Sequence, residues 1–401
     1  MRKFLIFVVL ALLIVAGIGF ILVATTPSQS AGIHAPLGAS ERALIAQVPA
    51  SAEAFAIIPT AAALDARLHA NPVSRAAIES WKAHQPLPRP WMIGSADLVA
   101  WKSGKETRYL LRLDPFRAVI VRMYLMAGGN IGNTVLLNAP AKQPIDAATL
   151  SRIVDQASRL PAGDALVVQL ESSRGAYPPI SRPTATSVQV SDSEIRLTSV
   201  GPAPPDAHGL KAVSKTFPRS AILSASFASP PRVIGDLNRL FGAKVSTLLE
   251  DGGAICIYDV DLRKLLPRPL GVIVLPDDPQ RRQIIESFRK AESIGIHTRT
   301  AEIGDKLVLS FDDSINRYQS DVFDPAPAGN QWTARLDPSR LVPILNDLGQ
   351  NLGLRIAAPR LFRSARDLHE WISGLEQAKV IEASDSADSQ GETLQVRISS
   401  K

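Results

Sequence analysis

Lys102, Lys105, Arg108 and Arg112 stand in a stretch of chain that also holds Trp81, Trp91 and Trp101. Residues 82–122 carry eight basic side chains, Lys82 and Arg89 among them, against three acidic ones. Cations beside tryptophans suit a lipid headgroup layer or another acidic polymer: the cations attract anions while the indoles favour the boundary between apolar and wet. Arg108 and Arg112 recur at even spacing, so they share one face of a strand, opposite Tyr109, Leu111 and Leu113. The plainer reading is tryptophans in a core and cations on a solvated strand face. Lys102, Lys105, Arg108 and Arg112 are the candidate contacts to an acidic surface.

Other arrangements carry less chemistry. Ser287 to Lys290 spells Ser-x-x-Lys, a pattern of acyl-transfer enzymes, but the companion S-D-N and K-T-G elements are missing. Ile284, Ile285, Phe288 and Ala291 instead make an apolar helical stripe there. The glycines of "GGNIGN", Gly128 to Asn133, follow a helical pattern and read as a C-terminal cap rather than a phosphate loop. The acidic pairs Asp277-Asp278 and Asp312-Asp313 precede helical segments, where capping accounts for them. His34, His69, His84, His208, His297 and His369 are scattered without ligand spacing. Cys256 lies in the strand-like run "AICIYDV" and reads as a buried thiol. No residue is assigned to catalysis, a metal or a cofactor, and no cofactor is expected.

One unit recurs among the elements that must position these residues: a strand ending at a cap residue that opens a helix. "AFAIIP" leads to Thr60, "AILSASFA" to Ser229-Pro230, and "WTARL" to Asp337-Pro338. A short polar cap accepts hydrogen bonds from free N–H groups, and proline at the first helical position loses none. Asp114-Pro115 and Asp278-Pro279 repeat the signal. The hexapeptide R-L-D-P-x-R occurs twice, at Arg112–Arg117 and Arg335–Arg340. It is either a pair of equivalent binding loops or two good helix starts.

The strands between these helices pair as hairpins. "ADLVAW" turns at "KSGK" into "ETRYLLRL", and "IHTRTAEI" turns at "GD" into "KLVLSF". Each half closes on a pair turning at "SDS": "SVQV" into "EIRLTS", and "AKVIEA" into "TLQVRISS". Leu394, Val396 and Ile398 alternate with Thr393, Gln395 and Arg397, which gives one buried and one wet face. The predicted fold class is α+β: an N-terminal transmembrane helix, then two related domains of largely antiparallel sheets with helices packed on one face.

Phe4 to Ala24 is uncharged and long enough to cross a hydrocarbon core roughly 30 Å thick. Arg2 and Lys3 precede it and no charge follows until Glu41, so the N-terminus is expected in the cytoplasm and residues 26–401 outside it. Ser28 and Ser30 before Ala31 form a loose cleavage pattern, and a retained anchor is the reading adopted. The expected divisions are a signal-anchor over 1–25, a flexible tether over 26–47, a domain over 48–200, a Pro-rich linker over 201–217 and a second domain over 218–401. With 46% hydrophobic and 20% charged residues the chain is globular rather than disordered. The net charge of +6 resides in the first half, which argues against nucleic acid as the partner.

The apolar opening, the "VPASAEAFAIIP" entry strand and its helix, "DKLVLSFDDSINRYQ", and the closing helix and hairpin together resemble bacterial membrane-anchored proteins grouped as a domain of unknown function with repeated strand–helix units. The resemblance implies a single-pass protein of the bacterial inner membrane, working in the envelope. The expected role is non-catalytic binding or scaffolding, with the membrane held through residues 4–24 and anionic lipid or an envelope polymer as further partner. An envelope hydrolase or transferase is the alternative.

Overall fold

Alternation along short apolar runs sets most of the architecture. A computed structural model describes residues 37, 39–59, 61–76, 97–103, 106–112, 119, 123, 126, 134–136, 145–170, 184–201, 214–228, 252–262, 268–276, 282, 299–310, 312–329, 331–350, 373–388 and 391–401. They divide into two units: Met1–Ala70, Trp81–Ser191 and Thr198–Gly201 form the first, and Asn71–Ser80, Asp192–Leu197 and Pro202–Lys401 the second.

The first unit contains, in chain order, α1 (Ala39–Ile45), β1 (Ala54–Ile58), α2 (Ala61–Ala70), β2 (Asp97–Ser103), β3 (Glu106–Arg112), β4 (Thr134–Leu136), α3 (Ala147–Ser158), β5 (Ala165–Gln169), β6 (Thr184–Val190) and, from Thr198 onward, β7 (Glu194–Gly201). The strand order is β7-β6-β5-β1-β2-β3-β4, antiparallel in the registers around β1 and parallel between β3 and β4. In β1 the alternation puts Phe55 and Ile57 inside, where they meet Val99, Leu166 and Val168. Helix α3 covers this core with Ile153 and Ala157, and its N-cap Asp146 accepts from the Thr149 amide at 2.8 Å. Leu37, Leu44, Ile45 and Val48 belong to the same core. The segment expected as tether up to residue 47 thus already contributes packing from Leu37 onward, because its apolar residues find a partner surface that composition alone does not reveal.

The second unit contains β8 (Thr216–Pro218), β9 (Leu223–Phe227), β10 (Gly253–Asp261), β11 (Arg268–Pro276), β12 (Arg299–Ile303), β13 (Lys306–Ser310), α4 (Ser314–Ser320), β14 (Phe323–Pro325), β15 (Trp332–Leu336), α5 (Pro338–Gln350), β16 (Ala378–Asp388) and β17 (Gly391–Ser400). Its main sheet runs β12-β13-β11-β10-β9-β15-β16-β17, antiparallel throughout these pairs, and β8 pairs with β14 in a small separate sheet. Gly304, at φ +63°, makes the tight β12–β13 turn that a side chain would strain. In both units the first long strand sits inside the sheet. A hairpin flanks it on one side (β2–β3, β10–β11), and on the other an antiparallel strand leads into a second hairpin (β5 then β6–β7, β15 then β16–β17).

The fold class departs from expectation. Among the described residues the chain is mainly antiparallel sheet with few helices, and the longest of these, α5, has 13 residues. No helix among the described residues is long and apolar enough to cross a membrane, and the predicted segment 4–24 lies outside them. Nor does β13 keep one face open. Leu307, Val308, Leu309 and Ser310 are consecutive and all buried, so β13 is enclosed on both sides, as unbroken apolar strands are. The last hairpin also differs: "SDS" at Ser384–Ser386 lies within β16, and the reversal follows Asp388. Ser384 and Asp385 are both buried, so sheet pairing overrides the local turn preference of these residues.

Candidate functional site

Two of the expected cationic contacts fall on one face of the ladder and one on the other. Arg108 pairs with Trp101 and Arg112 with Asp97, whereas Lys102 pairs with Thr107. Directly opposed residues share a face. Arg108 and Arg112 therefore occupy register positions on the side of Phe55 and Trp101, and Lys102 occupies the opposite side. Lys105, Trp81 and Trp91 lie outside the described residues. Trp101 is half-buried and packs against the first core.

The sequence reading missed an apolar surface close by. Val119, Met123 and Met126 are helical and expose 54%, 60% and 80% of their surface. The residues between them lie outside the described ones. The signal was present in "FRAVIVRMYLM", but a run this apolar reads as core when burial is unknown.

The densest polar constellation in the second unit joins distant parts of the chain. Asp324 of β14 accepts from Arg219 and from Arg335 of β15, each at 2.7 Å. These hydrogen bonds, Arg219's first, hold its carboxyl down at about 2. The Ser220 hydroxyl donates to Asp321 at 2.5 Å and accepts from the Arg317 Nε at 3.3 Å, and the Arg317 guanidinium lies 4.8 Å from the Tyr258 ring centroid. Arg340 donates to the carbonyls of Ser220 and, at 3.0 Å, of Tyr258. Both arginines of the second R-L-D-P-x-R thus serve as internal braces. Between them Asp337 caps α5, accepting from the Ser339 amide at 3.0 Å and hydroxyl at 2.6 Å. The arrangement fastens the small β8–β14 sheet.

A second polar group is chemically less settled. Asp385 of β16 is 4% exposed, faces Trp332 and Leu394 in register, and leaves its Oδ1 without a hydrogen-bond partner. Burial first, and then the neighbouring Glu392, push its carboxyl up to about 8, against an opposing hydrogen bond involving the Trp332 side chain. Its surroundings thus favour the protonated form, beside a second carboxyl group. That is a proton-holding arrangement, of the kind a general acid requires.

The remaining motifs resolve as structure where they are described. Asp312 accepts from the Ser314 amide at 2.6 Å and from the Ser310 hydroxyl at 2.9 Å, so it binds the first amide of α4, whereas the N-cap residue Asp313 makes no side-chain cap hydrogen bond. Burial pushes the Cys256 thiol up to about 12, which leaves it protonated and unreactive. His69 sits against Asp65 on α2, with Nδ1 2.8 Å from that residue's carbonyl oxygen. Among the described residues no three His, Cys, Asp or Glu side chains are grouped to hold a metal ion. Ser287–Lys290, Gly128–Asn133, Asp277-Asp278 and the other five histidines lie outside the described residues. No protein-family model, curated protein or solved structure matches the chain, so the resemblance to membrane-anchored envelope proteins rests on sequence pattern.

Proposed function

We propose that this chain is a membrane-tethered extracytoplasmic protein whose folded part binds or scaffolds, without catalysis, at the outer face of the cytoplasmic membrane. The observation that carries the reading is the position of Leu37. It is buried in the first core, and only residues 25–36 separate it from the end of the apolar segment 4–24. Twelve extended residues reach about 40 Å at most. With residues 4–24 in the membrane, the first unit and its basic stretch stay next to the lipid surface, where weak attraction to anionic lipid or an envelope polymer is enough. Alkaline phosphatase fused after Lys401 is expected to be active and to remain with membranes through carbonate washing. A soluble, shortened periplasmic product would count against the reading. The alternative, an envelope hydrolase or transferase, draws on the buried Asp385 beside Glu392. It requires a hydrolytic or transfer activity on envelope material that Asp385→Asn abolishes without unfolding the chain.

A further inference from the structure

We infer that the cationic surface around Ser220 is a binding site for a phosphate group, with Arg317 as its principal contact. All of its residues lie in the second unit, and the site stands independently of the membrane tether.

The setting of Arg317 is the first support. It is exposed, yet its guanidinium is fixed: Nε donates to the Ser220 hydroxyl at 3.3 Å, and its centre lies 4.8 Å from the Tyr258 ring centroid. Tyr258 is 1% exposed, so that ring is a firm platform. Among the described residues nothing bonds the two Nη groups of Arg317, and no carboxylate comes within ion-pair distance. A guanidinium held at Nε and open at both Nη groups presents the fork that oxyanions take in bidentate fashion.

Charge is the second support. Ser220 bonds two guanidiniums, Arg317 and Arg340, against one carboxylate, Asp321. Arg340 donates to the carbonyls of Ser220 and Tyr258 and pairs with no carboxylate among the described residues. Asp321 is itself engaged, by the amide and hydroxyl of Ser220 and by the Val322 amide at 2.8 Å. Close by, Asp324 takes two guanidiniums, Arg219 and Arg335. Four guanidiniums against two carboxylates leave an excess of two positive charges. Asp337 is set against the positive N-terminus of α5, which it caps. The excess suits a phosphate group, which carries about −1.5 to −2 at neutral pH, better than a singly charged carboxylate.

Apolar surface is the third support. Val322 and Phe323 follow Asp321 directly and expose 59% and 37% of their surface. Phe323 stands edge-on to Tyr318, with ring centroids 5.1 Å apart. Apolar groups beside a few placed polar ones favour an organic phosphate monoester over the bare ion. That chemistry is shared by soluble esters and by the headgroup of phosphatidic acid.

The test uses the full chain in uncharged detergent, titrated calorimetrically with phenyl phosphate, inorganic phosphate and benzoate. Phenyl phosphate should bind at a single site, several-fold more tightly than either of the others. Arg317→Gln should weaken it about tenfold or more, the loss expected of a charge-assisted bond. Arg317→Lys should weaken it nearly as much, because an ammonium lacks the fork. Without ligand, the unfolding temperature of Arg317→Gln should match that of the native chain. Phe323→Ser should weaken phenyl phosphate several-fold and leave inorganic phosphate unchanged. Short-chain phosphatidic acid and glycerol phosphate distinguish the sources: whichever displaces phenyl phosphate at the lower concentration identifies a lipid headgroup or a soluble ester. Absence of phenyl phosphate binding would overturn the inference. Binding undiminished in Arg317→Gln, or benzoate binding as tightly as phenyl phosphate, would overturn it equally.

Discussion

Asp385 and Asp324 show how one residue type is driven in opposite directions by its surroundings. Asp385 is enclosed with Trp332 across the strand pair and Glu392 nearby, so its proton is held. A carboxyl whose folded pKa is raised leaves the folded state binding more protons than the unfolded state between about pH 4 and about pH 8. Stability is therefore full below about pH 4 and is lost as pH rises toward 8. Melting temperatures measured from pH 5 to 9 should fall with pH in the native chain and fall less in Asp385→Asn. Asp324 is the reverse case: two guanidiniums favour its charge, so its contribution is present above about pH 4 and lost as pH drops through about 2. Arg219 is largely exposed and water screens its share, which leaves the half-buried Arg335 as the stronger arm. Asp324→Ala should cost about 1 kcal/mol at neutral pH by chemical denaturation. Arg335→Lys in the native chain should forfeit much of the Arg335 share, because a lysine ammonium does not replace a directed guanidinium bond.

At the scale of elements, close backbone approach and packing decide more than propensity. Gly271 on β11 pairs with Ile257, and a Cβ there would press against the Cys256 carbonyl of β10. Gly271→Ala should lower stability by about 1–3 kcal/mol, the usual cost of overpacking a rigid site. Chemical denaturation measures it, and a neutral result would mean the β10–β11 ladder yields more readily than its geometry implies. Helix α1 makes the complementary case. It is short, yet Leu44 and Ile45 are fully enclosed. Leu44→Ala should cost about 2–5 kcal/mol, the range for a buried leucine, where a residue of a flexible tether would cost nothing.

For the whole molecule, the consequence of tethering is effective concentration. On the proposed tethering, a short link would hold the first unit near the bilayer, so its cations would need little intrinsic affinity. Inserting about thirty Gly and Ser residues after Thr25 should lower quenching of a fluorophore on the first unit by spin-labelled anionic lipid about sixfold, following the roughly −3/2 power of link length. Unchanged quenching in the lengthened chain would mean that the contact is held by its own affinity. The two units share a strand plan built about β1 and β9.

Local signals carried the pieces whose physics is local. The alternation of Phe55 and Ile57, the bond from the first α4 amide to Asp312, the cap at Asp337, and the Gly304-Asp305 turn could each be read from a few adjacent residues, because one strand period or one hydrogen bond determines them. Tertiary structure decided the rest. Asp324 meets Arg219 across 105 positions of chain, and no spacing rule links them. Register set Lys102 apart from Arg108, since side-chain facing depends on which residue lies opposite. Ser384 and Asp385 stay in a strand despite their turn chemistry, because pairing and burial outweigh a preference worth less than the ladder. The exposed Val119, Met123 and Met126 and the buried Leu37 are the clearest cases. Their apolar character was written in the sequence, and only the arrangement of the surrounding chain determined which of them met water.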